Sequence, residues 1–248
     1  METNRYFLKL SNKGTNYCGW QIQPNDRTVQ GEINDTLKKL NSNSPVLTMG
    51  CGRTDTGVHA TNFYAHFDFK NILDFKVFTN KMNQMLPSDI VIHSITKVKP
   101  ESHTRYDATS RTYHYHISTS KNAFLNDTTL YINQSIDFHK MNQACQVLIK
   151  YTDFEAFSKV KTDVKTFNCI ITEAKWTIKK DELIFTITAN RFLRNMVRSI
   201  VGTLLDIGQN KLEISDLHDI IKSKNRDMAG KSVSPNGLFL VEIKYPYI

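Results

Sequence analysis

Apolar and polar residues alternate over residues 5–11, RYFLKLS, which predicts a strand. Thr28 then stands as an N-cap before Val29, Ile33, Leu37 and Leu40, whose spacing predicts a helix with one apolar face. Residues 46–49, VLTM, predict a short strand. Residues 62–69, NFYAHFDF, set Phe63, Ala65, Phe67 and Phe69 against Tyr64, His66 and Asp68, a strand with two unlike faces. A helix over 75–86, carrying Phe75, Phe78, Met82 and Met85, stops at Pro87, and IVIHSITKV at 90–98 is again a strand. The order β-α-β-β-α-β is that of the split βαβ, or ferredoxin-like, unit.

The second half repeats the order. Residues 111–117 (RTYHYHI) predict a strand, and residues 137–150 a helix capped by Asp137. Residues 167–178 and 182–189 predict a hairpin turning at Lys180-Asp181. Residues 193–207 predict a helix, a polar helix follows Ser215, and residues 237–245 (GLFLVEIKY) close the chain as a strand. The expected fold is α+β: two ferredoxin-like lobes of mainly antiparallel sheet, residues 1–104 and 105–248. No low-complexity linker separates them, so they are expected to pack together and to place a site in a central cleft.

Composition narrows the partners. Lys and Arg number 32 against 24 Asp and Glu, a formal net charge of +8, which favours a polyanionic partner. Cys18, Cys51, Cys145 and Cys169 are far apart in sequence, with no C-x-x-C pair and no histidine at metal-ligand spacing, so a zinc site or a disulfide framework is not expected. The N-terminus runs straight into a predicted strand, and no apolar run approaches the ~18 residues that span a bilayer. The expected location is the cytoplasm, without membrane attachment.

The segment with the most turn chemistry is MGCGRTDTGVHA, Met49 to Ala60, where one carboxylate, Asp55, stands among glycines. Gly52 to Gly57 has the G-x-x-x-x-G spacing, but Val58-His59 follow where a phosphate-binding loop needs Lys-Ser/Thr. A calcium loop needs several alternate oxygen ligands. Asp55 with His59 and His66 lacks helical metal-ligand spacing. Cys51 with His59 lacks a group to orient the histidine. Paired-carboxylate chemistry lacks a second acid. Two readings remain: Asp55 satisfies loop amides in an Asx-type turn, or it is an ionised nucleophile kept charged by an arginine. Arg53 lies in the same loop, and Arg191, Arg194 and Arg198 recur at helical spacing in RFLRNMVRSIVGTL. On that helix Met196, Val197, Ile200, Val201 and Leu204 form the expected buried face, and Gly202 leaves room for a close approach.

GRTDTGVHA closely resembles the G-R-T-D-A-G-V-H-A signature of the TruA family of tRNA pseudouridine synthases. Tyr17-Cys18-Gly19-Trp20-Gln21 and Thr28-Val29-Gln30 are similar to that family's Y-x-G-W-Q and V-Q. Ser110 to Tyr115 resembles its R-x-Y-x-Y strand, Phe192 to Gly202 its F-x-x-x-M-V-R-x-I-V-G helix, and Gly237 to Leu240 its closing strand. The resemblance runs from about residue 5 to 245, in order. It implies Asp55 as catalytic nucleophile and Tyr113 as the ring stacking on the target base. It also implies Arg198 as the ion-pair partner of Asp55, and Arg53 as an aid to the flipped-out nucleotide. It further implies a homodimer acting on uridines 38, 39 and 40 of the tRNA anticodon arm, with no cofactor and no metal. The departures are Thr56 for alanine, Asn12-Lys13 where the family commonly has Tyr-Asp, and Thr112 and His114 where residues are often basic. The rival reading is a non-catalytic RNA-binding protein with two RRM-like lobes, stacking bases on Phe63, Tyr64 and Phe67; the RNP element such modules carry is missing.

Overall fold

The computed structural model describes residues 3–160, 164–179 and 182–248. The chain divides into two units, one running through Thr109 and including Phe239–Ile248, the other spanning Ser110–Leu238. The last ten residues, placed by the sequence reading in the second lobe, thus group with the first unit. The class is α+β, with a mixed sheet arrangement and five α-helices among the described residues.

In the first unit, β1 (Asn4–Asn12) lies between β3 (His59–Phe69) and β4 (Ile90–Val98), antiparallel to both, with Leu8 opposite Ala65 and Ile95. The short β2 (Met49–Gly50) pairs with the outer part of β3, and β9 (Leu238–Lys244) runs parallel to the start of β3, His59 facing Phe239. Period-2 burial puts Tyr6, Leu8, Leu10, Phe63, Ala65, Phe67 and Phe69 in the core. Helix α1 (Val29–Leu40) starts at Thr28, whose hydroxyl accepts from the Gly31 amide. Helix α2 (Phe75–Met85) is capped by Asp74 and sets Phe75 against Tyr6 and Phe78 against Phe69. Each such cap contributes ~1 kcal/mol.

The polar face of β3 is covered around His66, while Asp68 stays exposed. Residues 99–109 cross it, and His66, 7% exposed, has Nδ1 2.8 Å from the Thr104 hydroxyl. The Tyr245 hydroxyl donates to the Thr104 carbonyl, Tyr247 donates to Asp107, and Arg5 reaches both Asp68 and the Ser102 carbonyl.

In the second unit, β5 (Ser110–Ser118) pairs antiparallel with β8 (Glu182–Ala189), and β8 antiparallel with β7 (Ile171–Lys179). The expected turn residues Lys180-Asp181 lie outside the described residues. A two-residue strand, β6 (Leu130–Tyr131), runs parallel to β5. Helix α3 (Phe138–Leu148) is capped by Asp137 as expected and packs on β7 and on α4 (Met196–Gly208). Helix α5 (Ile214–Ser223) starts a residue before Ser215, on a capping box of Glu213 and Asp216. It is amphipathic rather than polar, burying Leu217, Ile220 and Ile221.

Helix α4 starts later than its sequence suggests. Asn195 takes a left-handed φ of 68°, which breaks helical continuity, and Met196 opens the helix. Arg191 and Arg194 therefore do not share a helix face with Arg198. The Arg191 guanidinium donates to the Thr166 carbonyl, and the Arg194 carbonyl accepts from the Lys159 amide.

Candidate active site

The loop between β2 and β3 is held from outside by residues 14–20. The Trp20 amide donates to the Thr54 carbonyl at 3.3 Å and the Gly57 amide to the Tyr17 carbonyl at 3.2 Å. Within the loop, Val58 N–H closes a turn onto the Asp55 carbonyl at 3.1 Å. Gly19 has φ +79° and lies so close that a Cβ would stand 2.3 Å from the Thr54 oxygen. Only glycine meets both demands, left-handed backbone and no side-chain volume. Asp55 is half-buried at the middle of this loop, and Arg53 is exposed on it.

The 14–20 segment is anchored in turn. The buried Tyr17 hydroxyl donates to Asp89, the Lys13 amide donates to the Asp89 carbonyl at 2.9 Å, and the Arg27 guanidinium lies 4.9 Å from the centre of the Tyr17 ring. Burial, with the Asp89 hydrogen bond second, pushes the Tyr17 phenol well above its ordinary value, so it stays a donor. Trp20 stacks on Phe63 at 4.2 Å. The loop thus has little freedom, because both its outer wall and that wall's footing are hydrogen-bonded.

Tyr113 and Arg198 belong to the second unit. Tyr113, on β5, is half-buried and meets Phe192 edge to face at 5.1 Å and 89°. Arg198 sits in the first turn of α4, where its Nε donates to the Val233 carbonyl at 2.7 Å and its carbonyl accepts from the Val233 amide. Val233 lies in a strap, residues 229–237, that crosses α4. A Cβ on Gly202 would stand 1.8 Å from the Lys231 carbonyl, so the close approach expected at this glycine is made by the strap's backbone. The Asn195 side-chain amide donates to the Ser232 hydroxyl, Gly230 N–H donates to the Thr203 hydroxyl, and the fully buried Tyr115 donates to the Ser234 carbonyl at 2.7 Å.

His66 belongs to the polar network over β3, with His103 4.5 Å away ring to ring. Burial first, then repulsion from His103 and Arg5, lowers its pKa to about 4 and leaves the ring neutral. Cys51 is buried at the loop's start, its amide donating to the Tyr64 carbonyl. Among the described residues no group of three His, Cys, Asp or Glu side chains is placed to hold a metal ion. Of the departures from the family motif, Thr112 pairs its hydroxyl with Thr188, and burial lowers the His114 pKa.

Residues 144–246 match the family model described as tRNA pseudouridine synthase. The chain is 49% identical over 243 residues to tRNA pseudouridine synthase A of Parabacteroides distasonis, covering 98% of this chain and 96% of that protein. The chain belongs to the tRNA pseudouridine synthase A family. The protein of that name from Bacteroides thetaiotaomicron and tRNA pseudouridine synthase A 1 of Bacillus cereus are 45% and 39% identical, over 98% and 94% of this chain and 91% and 95% of theirs. The resemblance to the family's Y-x-G-W-Q motif marks Tyr17 and Gly19, though not what they do. Tyr115 is likewise part of the R-x-Y-x-Y strand motif, whereas Asp89 and the strap carried no comparable signal, because their contacts run to groups far away in sequence.

Proposed function

We propose that this chain isomerises uridine to pseudouridine at positions 38, 39 and 40 of the tRNA anticodon stem-loop. The observation that carries the reading is the nearly end-to-end identity of 49% with a tRNA pseudouridine synthase A. In the reaction the N1–C1′ bond breaks, uracil turns while held, C5 joins C1′, and the proton that C5 gives up is balanced by one taken up at N1. Nothing is oxidised and no outside group enters, so the residues need only bind, attack, stack, allow a proton to pass from C5 to N1, and exclude water.

In this reading Asp55 is the nucleophile, and the rigidity of its loop supports the role, because a fixed carboxylate spends no entropy on finding its target. Tyr113 stacks on the base, a contact of ~1–3 kcal/mol that survives rotation of the ring. Arg198 pairs with the Asp55 carboxylate, and its tether to Val233 fixes the direction of the guanidinium. Arg53, exposed beside Asp55, assists a flipped-out nucleotide, whose extrusion costs a few kcal/mol. The strand order β4-β1-β3-β2 of the first unit supports its reading as a ferredoxin-like lobe, with β5, β8 and β7 as the sheet of a second. A homodimer working in the cytoplasm, with the net charge of +8 holding the tRNA backbone, completes the proposal.

The test is Asp55→Ala and Asp55→Asn, assayed for pseudouridine in purified tRNA alongside tRNA affinity. Product should vanish while binding is largely kept. Undiminished product would remove Asp55 from the chemistry. A wild type that binds tRNA and leaves every uridine intact would favour a non-catalytic RNA-binding protein.

A further inference from the structure

His59 stands where the Asp55 loop becomes strand β3, four residues beyond the carboxylate. It is 1% exposed. Its ring lies flat on Phe239 of β9, centroids 4.5 Å apart and planes at 22°, and its Nδ1 accepts the Gly14 amide at 2.9 Å. Gly14 opens the segment that walls the loop, and its Cα backs the Val58 carbonyl so tightly that a Cβ would stand 2.0 Å from that oxygen. One imidazole therefore joins three pieces of chain: the loop's downstream end, the wall in front of it, and the closing strand behind it.

We infer that His59 is the positioning residue that fixes Asp55, acting through the Gly14 amide in its neutral, Nε2-protonated form. The inference rests on the catalytic assignment of Asp55. The physical argument is an accounting of donors. Gly14 is buried, and without an acceptor at Nδ1 its N–H has lost its partner, a penalty the chain relieves by moving the segment. That segment carries the Trp20 amide that holds Thr54, just before Asp55, and the Tyr17 carbonyl that holds Gly57, two residues after it. A shift there moves the carboxylate without removing any group that touches RNA. A ring protonated at Nδ1 would turn N–H towards N–H, so the tautomer is part of the device.

Two measurements decide it. The first is the 15N spectrum of His59 at neutral pH, which should show a bare Nδ1 and a protonated Nε2; the opposite tautomer would overturn the inference whatever the enzyme does. The second compares His59→Asn, His59→Phe and His59→Gln on anticodon-arm tRNA. Asparagine sets an amide oxygen near the place of Nδ1 and should keep most of kcat. Phenylalanine keeps the face for Phe239 without the acceptor, and glutamine carries its oxygen a bond farther, so both should lose about tenfold or more in kcat with KM for tRNA unchanged. If the phenylalanine variant fails to fold, the asparagine–glutamine pair carries the test. Equal losses in those two, or a loss confined to KM, would overturn the positioning role. A wild type inactive on tRNA that still shows the expected tautomer would overturn the assignment of Asp55 and leave the tether standing.

Discussion

Gly19 and Thr54 touch backbone to backbone: a methyl group on the Gly19 Cα would stand 2.3 Å from the Thr54 carbonyl oxygen. Gly19→Ala meets that overlap and also the left-handed φ of +79°. We expect a loss of roughly 2–4 kcal/mol in stability, from overpacking of about 1–3 and backbone strain of about 1. Pseudouridine formation should fall further than the melting temperature suggests, because Thr54 adjoins Asp55. Assay below the melting transition checks it; normal turnover in a folded Gly19→Ala protein would show that the wall does not set the loop.

The strap over α4 gives a graded pair of variants. Tyr115→Phe removes one donor to the Ser234 carbonyl and should cost about 1 kcal/mol. Gly202→Ala places a methyl 1.8 Å from the Lys231 carbonyl, lifts the strap and frees the Arg198 Nε from Val233. Its kcat should drop well below that of Tyr115→Phe. Equal activity in the two would separate the strap from the guanidinium.

His66 makes stability depend on pH. Its pKa is lowered from 6.5 to about 4, by burial first and then by His103 and Arg5, with Asp68 and Asp107 pulling the other way. The unfolded chain takes up the proton first, so the neutral ring's contribution is whole above about 6.5, declines as pH falls towards 4, and is gone below that. The ceiling is about 3 kcal/mol. Urea midpoints between pH 7 and 4.5 should fall more steeply for the wild type than for His66→Gln. Parallel slopes would mean that His66 titrates normally.

Tyr113 offers an aromatic face whose value is separable from its hydroxyl. Tyr113→Phe should bind tRNA more tightly than Tyr113→Ala, by up to the ~1–3 kcal/mol of one stacking contact. Filter-binding at constant salt measures it. Equal affinity would mean that stacking is not what Tyr113 supplies.

The sequence made the elements legible where one local rule governs. Thr28 and Asp137 cap the helices expected of them, and Phe63 to Phe69 alternate as a buried strand face should. It misled at Asn195. The apolar period there continues unbroken from Leu193, and only a left-handed residue, which periodicity does not register, takes Arg191 and Arg194 off the helix. It was silent about His66, because a polar strand face reads the same whether water or residues 99–109 cover it. At the candidate site the motif marked Asp55, whereas the groups that hold its loop, Tyr17 with Asp89 and His59 with Gly14, meet across 72 and 45 residues of sequence.

Strand β9 follows the whole second unit in sequence yet adds to the sheet of the first, beside His59 and Ala60. On the ribosome, the second unit's residues 110–238 are all made before Phe239 appears. The unit begun first therefore waits, with the start of β3 uncovered on one side, until residues 239–248 emerge. Nascent chains stalled before residue 239 should bind apolar dyes and holdase chaperones through their N-terminal part.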